Sequence, residues 1–159
     1  MIPQVKKILY VSDLAEGSRP AFRMAVSQAK QYDAEIVFLH VLEPISDSAR
    51  IAFQSALSDS EFKKIRTEGV SHLKETMAAR IANFYEAELE GMDWRPQVTP
   101  VLLEGNIDST IVAAATEQAV DLIVMGTRTH SATKQFFMGS TANKVMHNTA
   151  IPVMVVPLR

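Results

Sequence analysis

The sequence contains no cysteine, which excludes disulfide scaffolds, thiolate metal sites and cysteine nucleophiles. It also has no long hydrophobic run. The most apolar stretch, AIPVMVVPL, is far shorter than the ~20 residues that a membrane-spanning helix needs. Strong charge of either sign is missing too, because 16 basic and 18 acidic residues leave a net charge of −2. A broad attraction to nucleic acid or to an anionic membrane is therefore not expected.

What remains is the composition of an ordinary globular protein, with 47% hydrophobic and 21% charged residues. The length of 159 residues is typical of one domain that buries its own core, so we expect residues 1–159 to form a single domain. The opening segment, MIPQVKKILYVSD, passes directly into a strand-like run without the apolar region of a signal peptide. We therefore expect a cytoplasmic location.

Apolar runs and helical periodicities alternate along the chain. Five runs are typical of strands: KILYVS, EIVFLHVLEP, QVTPVLLE, DLIVMG and PVMVVP. Between them, apolar residues recur at helical spacing, with Ser18 and Asn106 as predicted helix caps. The segment 45–58 is predicted to be a loop or a short helix, and a long amphipathic helix follows it. This alternation predicts a parallel α/β sheet with helices on both faces.

Prolines predict which strands lie at the edges of the sheet. Pro100 lies inside the third strand, and Pro152 and Pro157 bracket the fifth. Because proline cannot donate a ladder hydrogen bond, both strands should be edges, which the order 3-2-1-4-5 satisfies with short crossovers. Strands one and four then form the switch point at which open, Rossmann-like sheets bind ligands. The residues that end these two strands are Ser12, Asp13, Met125 and Gly126.

The connection after strand four, GTRTHSATKQFFMGST, is much longer than the roughly 2–6 residues usual for such a loop. It begins at Gly126 and reaches Gly139 at the start of a helix, where free backbone N–H groups and the helix dipole favour a phosphate. We predict a phosphate-binding loop; the alternative is that the two glycines only ease turns. Side chains suited to phosphate are the hydroxyls of Ser140 and Thr141, one of which should also cap the helix, and the cations of Arg128 or Lys134.

Other reaction classes lack their motifs. No histidine pair has the H-E-x-x-H spacing of a metalloprotease, and no protein-only metal site is predicted. The G-x-S-x-G elbow of a hydrolase, the Walker loop and the dinucleotide-binding glycine motif are also absent. His40, within the second strand, is predicted to be a hydrogen-bonded core residue. No side chain is evident as a base that would activate water.

The long loop resembles that of ATP-binding universal stress proteins, which have a Gly, two residues, a Gly, nine residues, a Gly and then Ser or Thr. Gly126, Gly139 and Ser140 stand at this spacing. The flanking text DLIVMGTR and GSTANKVMHNTAIPVMVVP is similar to that family, as is an early strand that ends in Asp13. The resemblance covers the whole chain. Its one departure is Thr129 at the second glycine position, where a β-branched residue disfavours a positive φ.

The resemblance implies a fold of the adenine nucleotide alpha hydrolase type that binds ATP, with Mg²⁺ or Mn²⁺ accompanying the phosphates. Asp13 would contact the adenosine near the ribose, Val41 would face the adenine, and residues 126–141 would hold the phosphates. Thr129 would change the loop locally, leave the triphosphate farther away, or donate its hydroxyl to a phosphate. The family also implies a homodimer that pairs through strand 152–157. We expect a regulatory, largely non-catalytic protein; the alternatives are a slow ATPase and a dimeric interaction module without nucleotide.

Overall fold

A computed structural model of the protein describes residues 1–128 and 139–158. Strands and helices alternate through most of this part of the chain, and the predicted apolar runs all form strands. The elements in chain order are β1 (Lys7–Val11), α1 (Arg19–Tyr32), β2 (Glu35–Leu42), α2 (Asp47–Ala56), α3 (Asp59–Glu88), β3 (Val98–Glu104), α4 (Ile107–Glu117), β4 (Leu122–Arg128), α5 (Ser140–Asn148) and β5 (Val153–Leu158).

The five strands form one parallel sheet in the order β3-β2-β1-β4-β5, which confirms the predicted order. Tyr10 of β1 stands opposite Phe38 of β2 on one side and Val124 of β4 on the other. Pro100 lies in the edge strand β3, where its missing N–H leaves no central ladder incomplete. The carboxyl ends of β1 and β4 therefore lie side by side at the centre of the sheet.

One face of the sheet is covered by α1 and α3 through an aromatic cluster. The Tyr10 ring stacks on the Phe22 ring with 4.9 Å between centroids, and Phe22 contacts Phe84 of α3 at 4.6 Å. Phe38 completes the cluster and is 1% exposed. Aromatic contacts of this kind contribute about 0.5–1.5 kcal/mol each beyond the area that they bury, so this cluster is a main support of the fold.

The opposite face is covered by α4 and α5. Ile111 of α4 and Val145 of α5 are fully buried against Leu9 and Ile123, which alternate with the residues of the aromatic face along β1 and β4. A sheet buried on both faces has no polar side, which explains why its strands are continuous apolar runs in the sequence.

The segment 45–58, predicted as a loop or a short helix, contains the helix α2. This helix buries none of its side chains, and the long α3 buries only Met77 and Phe84, both in its second half. Ser58 and Glu61 form a reciprocal capping box at the start of α3, which stabilises this exposed end. Within residues 1–128 and 139–158, no helix is long and apolar enough to cross a membrane.

Candidate functional site

A cavity of about 610 Å³ opens at the carboxyl ends of β1 and β4, where the sheet order places the switch point. This volume lies within the roughly 300–1,000 Å³ of small-molecule sites. Eight of the ten residues predicted from the sequence line it, contributed by strands, by the loop after β1 and by the start of α5. They are Ser12, Asp13, Val41, Met125, Gly126, Gly139, Ser140 and Thr141.

The other two predicted residues are not located by the structure. Arg128 ends β4, but its side chain is outside the described part of the molecule, and Thr129 lies wholly outside it. Lys134, the second cation suggested for the phosphates, also lies outside the described residues. Their predicted roles stay predictions.

The loop between β1 and α1 presents Asp13 to the cavity through two local turns. The Ser12 hydroxyl accepts a hydrogen bond from the Leu14 N–H at 3.1 Å, and the Asp13 carboxylate accepts one from the Ala15 N–H at 2.9 Å. Asp13 thus lines the cavity and also shapes the turn, so its two interpretations, as a site residue and as a turn residue, are compatible. Leu14 adopts the left-handed conformation, with φ at 58°.

Gly126 makes room for the Leu158 side chain. A Cβ atom at this position would lie 2.8 Å from Cγ of Leu158 in the neighbouring strand β5, closer than carbon atoms pack. Its φ is not positive, since the glycines with positive φ are Gly17, Gly91 and Gly105. Gly126 therefore lets β5 approach the floor of the cavity, which Leu158 also lines.

Gly139 stands at the start of α5, where the sequence predicts the end of a phosphate-binding loop. Its N–H donates to the Thr127 hydroxyl at 2.7 Å, which joins the start of α5 to the end of β4. The prediction that Ser140 or Thr141 caps α5 is wrong, because Gly139 is the N-cap and its carbonyl already accepts the first helical bond, from the Asn143 N–H. Ser140 and Thr141 are the first two helical residues and line the cavity. Their N–H groups belong to the first turn, which has no intrahelical acceptors, so they suit an anion.

Several lining residues were not predicted as site residues from the sequence. Apolar walls come from Ile107 and Ile111 of α4, and the sheet adds Tyr10. The sequence signal for the isoleucines was the helical stripe of α4, which also describes core residues and so did not single them out. Burial raises the pKa of the Tyr10 phenol, whose ring belongs to the aromatic cluster.

His40 also lines the cavity, and its Nδ1 lies 2.8 Å from the Ser12 carbonyl oxygen. Since a carbonyl only accepts, Nδ1 carries the proton and donates it. The side chain is half-buried and hydrogen-bonded as predicted, but it borders the cavity. This bond joins the ends of β1 and β2 beside Val41.

The described lining is acidic and apolar. Asp13 and Glu43 are its carboxylates, and no lysine or arginine belongs to it within residues 1–128 and 139–158. In the same ranges, no group of three or more histidine, aspartate or glutamate side chains is placed to hold a metal ion. An anionic ligand would therefore rely on backbone N–H groups and hydroxyls here, and on cations from elsewhere.

The sequence profile of the Universal stress protein family matches residues 4–157. The chain belongs to this family. A universal stress protein of Methanocaldococcus jannaschii, MJ0531, is 30% identical over 151 residues, which cover 95% of this chain and 81% of the relative. The solved structure of the universal stress protein UspA from Lactobacillus plantarum has a TM-score of 0.71 at 21% identity, covering 98% of this chain and 99% of that one.

Two further universal stress proteins of the same fold were solved with adenine nucleotides. One, from Archaeoglobus fulgidus, is in complex with dAMP; it has a TM-score of 0.57 at 19% identity and covers 100% of both chains. The other is in complex with cAMP and has a TM-score of 0.56 at 14% identity, covering 99% of this chain and 100% of that one. At these identities the likeness concerns the fold.

Proposed function

We propose that this universal stress protein binds ATP in the cavity at the switch point and acts as a nucleotide-dependent regulator in the stress response, with little or no turnover. The observation that carries the proposal is the convergence of Asp13, Val41 and the N-terminal turn of α5 on one cavity of about 610 Å³. The dAMP and cAMP complexes support the wider class, adenine nucleotides, as ligands that this fold accommodates.

The lining of the cavity offers groups suited to each part of an adenine nucleotide. Val41, Ile107 and Met125 provide apolar surface suited to an adenine ring. Asp13 accepts hydrogen bonds and suits the ribose hydroxyls. Gly139, Ser140 and Thr141 bring backbone N–H groups and hydroxyls toward the phosphates, and the helix dipole adds a partial positive charge. Arg128 and Thr129 complete the proposed phosphate site.

A divalent cation belongs to the proposal because the described lining is acidic. Asp13 and Glu43 would repel bare phosphates, whereas Mg²⁺ or Mn²⁺ accepts hard oxygen ligands from phosphates, water and one carboxylate. We expect EDTA to weaken ATP binding and Mg²⁺ to restore it.

Low turnover is part of the proposal because the sequence lacks the motifs of known hydrolases and P-loop enzymes. His40 is the histidine of the described lining, and its Nδ1–H is engaged with the Ser12 carbonyl. This tautomer leaves Nε2 of His40 as an acceptor, and Asp13 and Glu43 add carboxylates, so a phosphate-release assay decides whether any of them activates water. The alternative is a slow ATPase. It would be favoured if a phosphate-releasing activity followed the monodisperse protein through purification and were lost in Asp13→Ala.

Calorimetry with Mg-ATP tests the proposal. We expect binding to the wild type, and a loss of roughly ten- to hundredfold in Asp13→Ala, because removing a charged hydrogen-bond partner costs about 1.5–3 kcal/mol. Asp93→Ala is the matched control, since Asp93 is exposed in the turn after α3 and outside the cavity. No heat and no Tm shift with millimolar Mg-ATP would overturn the proposal and favour the interaction module without nucleotide.

The homodimer is proposed to form through strand 152–157. β5 pairs with β4 on one side, and it is an edge of the sheet that the described residues form. The Pro152 carbonyl accepts a hydrogen bond from the Ile123 N–H of β4. Because successive residues of a strand direct their N–H and C=O groups to opposite sides, those of Val153 and Val155 are directed away from β4. Such an edge suits pairing with a second chain.

Light scattering tests this dimer. The wild type should have twice the chain mass at micromolar concentration, and Val155→Pro should be monomeric, because it removes an outward N–H without touching the β4–β5 ladder. A monomeric wild type would contradict the proposal. One domain spanning 1–159 and a cytoplasmic location complete the proposed description.

A further inference from the structure

Arg80 of α3 reaches across the molecule to the loop between β1 and α1. Its Nη1 donates to the Ser18 hydroxyl at 2.9 Å and to the Ala15 carbonyl at 3.2 Å, and its Nη2 donates to the Leu14 carbonyl. The side chain is half-buried and does not line the cavity of about 610 Å³. One guanidinium therefore gathers three acceptors from a loop that lies 62–66 residues away in the sequence.

The loop needs an external support because its backbone is unusual. Leu14 has a φ of 58°, a left-handed conformation that residues with a side chain adopt rarely. The two local turns at Ser12 and Asp13 hold the N–H groups of Leu14 and Ala15. Arg80 holds the carbonyls of the same two residues, so both sides of this short backbone segment are tied.

The Ser18 hydroxyl contacts Arg80 and makes no local cap. Ser18 is the N-cap of α1, but its φ of −77° and ψ of −11° are helical and Pro20 in the first turn has no N–H, so no side-chain cap bond forms. Its hydroxyl accepts from Arg80, and the residue is buried with 6% exposure. The start of α1 and the loop are thereby fastened to α3.

We propose that Arg80 is a positioning residue for nucleotide binding, which holds the β1–α1 loop in the conformation that presents Asp13 to the cavity. This inference rests on the proposed function. The planar guanidinium is required because its fork reaches several fixed acceptors at once, which a single ammonium group does not. Without it, the loop samples other conformations, and the apparent affinity falls in proportion to the population that remains competent.

A purely structural role would be shared by the arginines of α1 that contact Glu88 of α3. Arg23 donates to both carboxylate oxygens of Glu88, the last residue of α3, with its closest contact at 2.6 Å, and Arg19 lies 3.6 Å from the same carboxylate. Arg23→Gln therefore removes an α1–α3 link without touching the loop, and it is the matched control for Arg80→Gln.

The experiment measures Mg-ATP affinity by calorimetry in Arg80→Gln, Arg80→Lys and Arg23→Gln, each alone and combined with Asp13→Ala. We expect a loss of about tenfold in Arg80→Gln, a loss of at least about threefold in Arg80→Lys, and no change in Arg23→Gln. In the Asp13→Ala background, Arg80→Gln should cost less than about twofold, because the residue that it positions is gone.

Hydrogen–deuterium exchange of the peptide that contains residues 12–18 gives a readout without nucleotide. Arg80→Gln should speed exchange there, and Arg23→Gln should not. Should Arg80→Gln fail to fold, Arg80→Lys supplies both measurements. Any one of three results would overturn this inference. The exchange rate of residues 12–18 could be unchanged in Arg80→Gln, or Arg80→Gln or Arg80→Lys could bind Mg-ATP with the full wild-type affinity. The third is that Arg80→Gln lowers the affinity equally with and without Asp13. If the wild-type protein binds no nucleotide, the proposed function itself is wrong, and this result is distinct from the outcomes above.

Discussion

Replacing Gly126 by alanine tests the close approach of β5 to the floor of the cavity. The new Cβ would lie 2.8 Å from Cγ of Leu158 and 3.2 Å from its Cδ2, whereas carbon atoms pack favourably at about 3.5–4.0 Å. The Leu158 side chain must therefore move away from its place against the aromatic face of the core, where it is partly buried.

Two opposing terms set the magnitude. Overpacking of this kind costs about 1–3 kcal/mol, while alanine in place of glycine inside a regular element contributes about 0.5–1 kcal/mol in the stabilising direction. Gly69→Ala isolates the second term, because Gly69 lies in α3 with nothing within 4 Å of its Cβ position. We expect Gly69→Ala to be stabilising. Gly126→Ala should be less stable than Gly69→Ala by about 1–3 kcal/mol, and each kcal/mol corresponds to a change of roughly 2–4 °C in Tm.

Urea denaturation followed by circular dichroism measures both variants. The decisive comparison is in the Leu158→Ala background, where the obstructing side chain is gone and Gly126→Ala should become stabilising. The reasoning would be refuted if Gly126→Ala were as stable as Gly69→Ala. It would also be refuted if Gly126→Ala remained destabilising in the Leu158→Ala background, because the constraint on Gly126 would then come from another contact.

Two other predictions concern elements around the cavity. Burial raises the pKa of Tyr10, so the stability that its neutral form contributes is complete below pH 10.0 and is lost as the pH rises through the raised value. Tyr10→Phe, which keeps the ring, should flatten the loss of stability measured by urea titrations at alkaline pH; parallel curves would contradict this. Asn106 caps α4 by accepting from the Ser109 N–H, and Asn106→Ala should cost about 1 kcal/mol in the same assay, with Asn106→Asp close to wild type. An Ala variant as stable as Asp would show that the cap contributes nothing.

Much of the fold was predictable because its signals are local. Strands buried on both faces must be continuously apolar, and a proline must avoid a central ladder, so apolar runs together with Pro100 and Pro152 were enough to predict the strand order. The switch point follows from that order. This is why eight of the ten predicted site residues meet at one cavity.

The start of α5 marks the limit of such reasoning. Gly139, Ser140 and Thr141 are all acceptable at a helix start, and the sequence alone favoured a hydroxyl as the cap. The observed N-cap is Gly139, one residue before Ser140, and its N–H donates to the Thr127 hydroxyl 12 residues earlier in the chain.

The sequence by itself determined the class of the sheet, its strand order and the place of the cavity, since these depend on periodicity, on proline and on glycine. Only the tertiary structure decided which distant groups meet there: His40 with the Ser12 carbonyl, Leu158 against Gly126, and Arg80 on the β1–α1 loop. Those pairs are joined by packing between elements far apart in the chain, and neither residue of a pair carries a local pattern that names its partner.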